Sequence, residues 1–413
     1  MTRPLVLAGA RVVQVDVPGM EPTDPVDITV ERGRIASIGP HRTGRRVDGA
    51  TVVDVEGRFV VPGLVNAHDH LYSKELRDPG PGMDIRAKRQ QIDARSEAST
   101  LATMLRNAWR SMATGVLVVR DLGARHGLNT ELASVIAEGT TPGPVVVAAG
   151  RPIVMTGGHV HTFGREADGP DECRKAVREQ RKAGAKVIKV MASGGLSNFP
   201  HEDYTVCEFV DDELLAITAE ARKLGMPTCA HAFGTDAVAA AIRCGIDSIE
   251  HGVHLDEATV AEMAAKGTSY VPTMANMARI ASPDMNDRAG VPERATRFTA
   301  EIVEPQRASV AMAIEAGIRV GVGTDSTGVY DEELAALMAA GMGPERVIRA
   351  ATIDGAAICR VDAGVVREGR LALLGVHDAD PRPDPLSWLA PAAVVSGGRW
   401  FDRGQLAALA GDG

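Results

Sequence analysis

The sequence predicts an α/β fold: a (β/α)8 TIM barrel with a small β-sandwich module formed from both chain ends. Two observations point there. Between residues 59 and 355, eight short apolar runs alternate with long helical patterns. Alternation of this kind implies a parallel sheet, and eight such units imply a closed barrel. Outside that span, short strand-like runs are separated by Gly, Pro and Asp, which is the composition of a meander. The expected division is 1–58 and 356–413 for the two parts of the module and 59–355 for the barrel.

The elements follow in order. LVLAGARVVQV, VDITVERGRIASIG and ATVVDVEG read as strands of the module. The first barrel strand is expected at Phe59–Asn66, and later ones at 116–123, 144–150, 185–195, 226–234, 246–252, 268–274 and 318–326. Helices are expected at Ser96–Ala113, Thr130–Glu138, Asp171–Ala183, Asp211–Leu224, Thr235–Cys244, Asp256–Lys266 and, as one long element, Arg294–Ala316. After 355 the alternation lapses, and Gly364–Val376 and Ala392–Phe401 read as returning module strands. The tail at 405–413 is expected to fray.

The 413 residues exceed one barrel of about 250, which leaves room for the module. Aromatics are only 3%, so the core must be aliphatic. A net charge of −9, with no basic patch interleaved with aromatics, argues against nucleic acid. No apolar run approaches the roughly 18 residues of a membrane span. The opening MTRPLVLAGARVV lacks the apolar core of a signal peptide. Five scattered cysteines without a CxxC read as reduced thiols, so a cytoplasmic protein acting on a small molecule is expected, as a homo-oligomer.

The chemistry begins at VPGLVNAHDH. Residues two apart on a strand share a face, so His68 and His70 would project together at a strand end, a natural start for a transition-metal site. Such a pair is weak by itself; other ligands should then sit at other strand ends. Lys189 lies near the end of the fourth strand, His231 ends the fifth, His251 the sixth and Asp325 the eighth. Singly, Lys189 reads as a snorkelling lysine, each histidine as a hydrogen-bonded core residue, and Asp325 as a helix cap. Together, in register with the barrel mouth, they favour metal.

This ordered set resembles the amidohydrolase superfamily. VVPGLVNAHDH, IKVMASGG, AHAFG, SIEHG and GTDS are most similar to its imidazolonepropionase/prolidase-like branch. The resemblance implies two divalent metal ions, zinc being expected, bridged by a carboxylated Lys189. It places one ion on His68, His70 and Asp325 and the other on His231 and His251. The chemistry suits the residue types: a buried lysine loses its proton readily, and the neutral amine can take up CO2 as an anionic carbamate. Two ions lower the pKa of a shared water. The resulting hydroxide would attack a carbonyl, with Asp325 as proton shuttle.

His159 and His161, in the Gly-rich loop GGHVHTFG, are expected to contact substrate, with His159 also serving catalysis. Tyr72, Arg151 and Tyr204 are further candidates for substrate binding, with Lys74, Arg120 and Asp121 also near the mouth. Dipeptidase-like relatives often carry a tyrosine two residues after the strand-five histidine, where this chain has Phe233. The expected activity is hydrolysis of an amide bond in a small substrate such as an N-acyl amino acid or dipeptide. The alternatives are a mononuclear deaminase or cyclic amide hydrolase, a lactone or ester hydrolase, and a non-catalytic barrel scaffold.

Overall fold

The computed structural model describes residues 3–44, 49–77, 85–196, 202–288 and 293–411. The chain opens with β1 (Leu5–Val12), β2 (Val26–Glu31), β3 (Arg34–Pro40), β4 (Thr51–Asp54) and β5 (Phe59–Pro62). β1 pairs antiparallel with β2 and parallel with β4 and β5. At Gly63 the chain changes sheets. Gly63 N–H donates to Leu373 O (2.8 Å), and the next amide, Leu64 N–H, donates to Gly115 O (2.9 Å). The run expected as one strand is therefore two, parted at a glycine; a Cβ there would lie 2.7 Å from Leu117.

β6 (Leu64–Asp69) starts the parallel part. Helices α1 (Ile85–Asp93) and α2 (Glu97–Ala113) follow, the latter capped by the Ser96 hydroxyl, as its sequence suggests. Then come β7 (Val116–Asp121), α3 (Leu128–Ala137), β8 (Val145–Ala148), β9 (Ile153–Val154), β10 (Arg165–Glu166) and α4 (Gly169–Lys182). β11 (Ile188–Met191), α5 (Asp211–Lys223), β12 (Thr228–Ala232), α6 (Thr235–Arg243), β13 (Ser248–His251), α7 (Glu257–Lys266) and β14 (Ser269–Val271) complete the regular alternation. Short helices α8 (Met274–Ile280), α9 (Pro283–Arg288) and α10 (Glu293–Phe298) precede α11 (Glu304–Glu315). A wide turn of π-helix at Thr299–Val303 stands between α10 and α11. The long helix expected from Arg294 is thus interrupted where Pro305 removes an amide donor.

These strands form a three-stranded sheet, β6-β7-β8, and a six-stranded sheet, β10-β9-β11-β12-β13-β14. Their pairings are parallel throughout. Hydrogen bonds join the sheets at two seams. At one, Lys186 N–H donates to Ala148 O (2.8 Å). At the other, residues 319–325 lie between β14 and β6: Tyr270 N–H donates to Arg319 O (2.9 Å), and Ala67 N–H to Val322 O (2.7 Å). The eighth strand expected here is an extended segment with only isolated bridges, Tyr270 to Val320 and Asp69 to Asp325. A Cβ at Gly323 would fall 2.8 Å from His68 Cβ, so close approach to the first strand requires glycine.

The C-terminal part comprises α12 (Tyr330–Ala339), α13 (Pro344–Arg349), α14 (Gly355–Cys359), then β15 (Leu374–His377), β16 (Ala393–Ser396), β17 (Arg399–Asp402) and α15 (Arg403–Ala410). β15 pairs antiparallel with β5, so strands from both ends share one eight-stranded sheet, β17-β16-β15-β5-β1-β2-β3 with β4 beside β1. The expectation of a fraying tail fails up to Ala410: Asp402 caps α15 and Leu406 is buried. Among the described residues no helix is long and apolar enough to cross a membrane.

Candidate metal centre

Five of the six residues singled out as ligands lie on or just past four parallel strands, with Lys189 second in its strand rather than near its end as the sequence pattern suggests, and Asp325 lies past an extended segment. His68 is in β6 with His70 after it, Lys189 is in β11, His231 in β12, and His251 ends β13. Asp325 follows the extended 319–324 segment and bridges to Asp69. The imidazoles cluster: His68 and His251 are 5.0 Å apart between ring centroids, His231 and His251 4.7 Å, and His68 and His70 5.4 Å. Nitrogen and oxygen donor atoms of His68, His251 and Asp325 all lie within 4.8 Å of one another.

Hydrogen bonds decide which ring nitrogen is free. His70 Nδ1 faces Gly123 O at 3.0 Å. A carbonyl only accepts, so Nδ1 carries the proton and Nε2 the lone pair. His68 Nδ1 donates to Glu250 Oε2 (2.8 Å), again freeing Nε2. His251 Nδ1 meets Thr273 Oγ1 at 2.7 Å, and that hydroxyl gives its single proton to Pro272 O (2.6 Å). It can then only accept from His251, whose Nε2 is free. His231 is reversed: Nε2 donates to Gly194 O (3.1 Å), leaving Nδ1 free. His70 Nε2 and Asp325 Oδ1 stand 3.5 Å apart, two electron-rich atoms facing across a gap.

Burial sets the charges. It pushes the His68 and His231 imidazoles well below their ordinary value and His251 down to about 3, so all three are neutral donors. Burial opposes the charge of Asp325, but the surrounding histidines and Lys189 outweigh it and hold the carboxyl below the usual range. Lys189 is 1% exposed, and among the described residues its Nζ has no hydrogen-bond partner. A buried ammonium without a partner costs several kcal/mol, and burial lowers the lysine pKa accordingly. Neutral imidazoles with defined lone pairs, an ionised carboxylate and an unpartnered amine fit a divalent cation.

Outer residues hold these donors, and sequence reading did not find most of them. Glu250 bonds His68 and is itself paired with Arg120 (2.8 Å) and Ser248 Oγ (2.7 Å). Arg120, expected at the mouth, is therefore an interior residue: burial works against its charge and Glu250 sustains it. Glu250 and His251 are adjacent, so strand periodicity sends them to opposite faces. The left-handed backbone of His251 (φ 71°) breaks that rule and brings both side chains into the site. Lys74 Nζ ties Asp69 Oδ1 (2.6 Å), Thr324 Oγ1 (2.8 Å) and Asp325 O (2.8 Å) together. Asp121 accepts from Leu71 N–H (2.9 Å) and Asn129 Nδ2 (2.9 Å), and so shapes the loop after β6.

At the mouth, the His159 ring stacks on His231 (4.4 Å, 25°). A Cβ on Gly195 would fall 2.2 Å from that ring, so only glycine lets the ring lie there. Glu202 Oε1 meets His159 Nδ1 at 2.6 Å, and both oxygens of Glu208 accept His159 N–H (2.9 and 3.0 Å). Burial, reinforced by Glu202, pushes Glu208 up to about 7. Phe233 is buried, stacked flat on His251 (5.1 Å, 9°) and edge-on to His231 (4.8 Å). Tyr204 packs on Phe233 and donates to Glu301 Oε2 (2.8 Å). Tyr72 lies edge-on to His70 (6.2 Å), its hydroxyl accepting from Arg89.

Two expected substrate contacts stand apart from this cluster. His161 is exposed, and its Nδ1 donates back to Gly158 O (3.0 Å). Arg151 is also exposed and spends its guanidinium on the carbonyls of Phe163 and Gly164. Both stabilise the Gly-rich loop rather than joining the imidazole cluster.

Histidines on neighbouring parallel strands, a buried lysine on another and an aspartate beside them suit a metal-dependent hydrolase. The model of the amidohydrolase family matches residues 59–405, and the chain belongs to that family. Ochratoxinase of Aspergillus niger is 30% identical over 378 residues, covering 83% of this chain and 75% of that protein. A 5-methylthioadenosine/S-adenosylhomocysteine deaminase of Natronomonas pharaonis is 27% identical over 406 residues, covering 88% and 83%. Among solved structures, a prolidase complexed with N-methylphosphonate-L-proline superposes with a TM-score of 0.81 at 25% identity, covering 97% of this chain and all of that one.

Proposed function

We propose that this protein hydrolyses an amide C–N bond in a small substrate, an N-acyl amino acid or dipeptide, at a binuclear metal centre. The observation that carries this reading is Lys189, a buried amine near His68, His231 and His251 whose Nζ has no hydrogen-bond partner among the described residues. A mononuclear site has no use for it. As a carbamate it would become an anionic ligand between two ions, zinc being the expected metal. His68, His70 and Asp325 would hold one ion, His231 and His251 the other. When bound, divalent metal activates water and polarises the scissile carbonyl.

The chain's own residues do the rest. Asp325, ionised and bonded to Asn276 Nδ2 (2.8 Å), takes the proton of the attacking water and delivers it to the leaving amine. His159, fixed by Glu202 and Glu208, contacts the carbonyl oxygen or the substrate's acid end. Phe233 and Tyr204 form an apolar wall beside them. On this reading the two parallel sheets and the 319–325 segment would close into one (β/α)8 barrel, and the terminal sheet would form the β-sandwich module. Residues from both chain ends share its apolar core, among them Leu7, Ile28, Leu374 and Val395.

A panel of dipeptides, N-acyl amino acids, lactones, cyclic ureas and adenosine derivatives, offered to zinc-loaded protein, tests this. Turnover of an N-acyl amino acid or dipeptide, lost on chelation and regained with zinc, is expected. Turnover only of a deaminase or lactone substrate would contradict it.

A further inference from the structure

β14 ends at Val271 and α8 begins at Met274. The turn between them and the first turn of α8 serve two neighbours at once. Thr273 accepts from His251 Nδ1 (2.7 Å), and Asn276 Nδ2 donates to Asp325 Oδ2 (2.8 Å). The Asn276 amide cannot flip without loss, because its Oδ1 accepts Thr327 N–H (3.1 Å) and the Thr327 hydroxyl (2.5 Å). Three non-glycine residues here are left-handed: His251 (φ 71°), Thr273 (φ 54°) and Asp325 (φ 51°). For β-branched threonine this conformation is strained, so something outside the turn must hold it.

Glu333, on α12, is that partner. It is fully buried, and its Oε2 accepts Ala275 N–H at 2.7 Å, with the amides of Met274 and Thr273 alongside. Its Oε1 has no partner among the described residues. A buried carboxyl lacking a basic partner is destabilising in itself. Its position makes sense through the backbone it clamps.

We propose that Glu333 and the turn Thr273–Asn276 form one positioning device, which fixes His251 and Asp325 relative to each other so that both present their donors to the same centre. Glu333 is a positioning residue: it acts through the turn and touches neither ligand. The proposal rests on the metal-centre reading above.

Cobalt(II) titrated into the metal-free full-length protein, followed by visible absorption, tests it. Glu333→Ala should weaken cobalt binding about 10–100-fold, the usual effect of losing an outer partner, shift the visible bands, and lower kcat more than it raises KM. Glu333→Gln keeps an acceptor oxygen for the turn and should recover most of the loss. Thr273→Val and Asn276→Ala should each reproduce part of the change, and they decide the matter if Glu333→Ala does not fold. Wild-type affinity and bands in all folded variants would overturn the device while leaving the metal centre intact. A wild-type protein that takes up no cobalt would overturn both.

Discussion

Asp325 meets three demands at once. It must stay ionised in a buried site, keep one oxygen toward His70, and be held rigidly. The surrounding imidazoles meet the first, and the 3.5 Å approach of Oδ1 to His70 Nε2 meets the second. Asn276 on one side and Lys74 on the backbone of the other meet the third. Asp325→Asn should therefore leave the fold and much of the metal in place while lowering kcat by about 10²-fold or more, the scale of a lost general acid–base. Steady-state kinetics with parallel metal analysis checks this. The residues proposed as ligands were legible in the sequence because histidine, lysine and aspartate are expensive to bury without a use, and these fall in or beside apolar runs. Their supports were not. Glu250 reaches His68 across 182 residues and Asn276 reaches Asp325 across 49, and no local pattern encodes such pairings. Lys74, a residue after the first motif that local pattern leaves without a role, is a tie between β6 and the extended 319–325 segment.

At the scale of elements, six of the seven expected helices and most of the expected strands follow from periodicity, most ends shifted by a residue or two, whereas α1, α12 to α14 and α15 are not expected from it. The failures have specific causes. Phe59–Asn66 is continuously apolar because both of its halves are buried, one in each sheet, so hydropathy alone does not reveal the break at Gly63. The eighth run reads as a strand, yet it makes only isolated bridges to β14 and β6, and Gly323 in it lies in close contact with His68. Gly63 thus carries a structural prediction. An alanine there would press on Leu117, and overpacking of this kind costs about 1–3 kcal/mol. Gly63→Ala should lower the denaturation midpoint with little change in the metal site, as thermal unfolding and metal content together would show.

The whole molecule joins a β-module to a parallel α/β body, and its stability should depend on pH through the module as well as the site. At the β1 irregularity, Gly9 N–H donates to Asp27 Oδ1 (3.1 Å), and His41 Nδ1 meets the same oxygen at 2.6 Å. The Asp27 hydrogen bond raises the His41 pKa above 6.5. Burial pulls Asp27 upward, but His41 and the Gly9 amide outweigh it and hold it below 3.8. A raised histidine stabilises fully below its unfolded pKa, and the effect fades as pH rises through the folded value. A lowered carboxyl stabilises above its unfolded pKa, and the effect fades as pH falls. The pair should therefore contribute most between 3.8 and 6.5. The difference in thermal midpoint between wild type and His41→Ala should be largest in that window and shrink above it; a flat difference across pH would exclude the linkage.

Lys189 is proposed to make the site binuclear. Metal content by mass spectrometry, on wild type and Lys189→Ala purified in parallel, tests it most directly. About two divalent ions are expected per wild-type chain, as a bridged pair requires, and fewer in Lys189→Ala, with short carboxylic acids partly restoring activity. One ion per chain in both proteins, with activity untouched by the substitution, would contradict it.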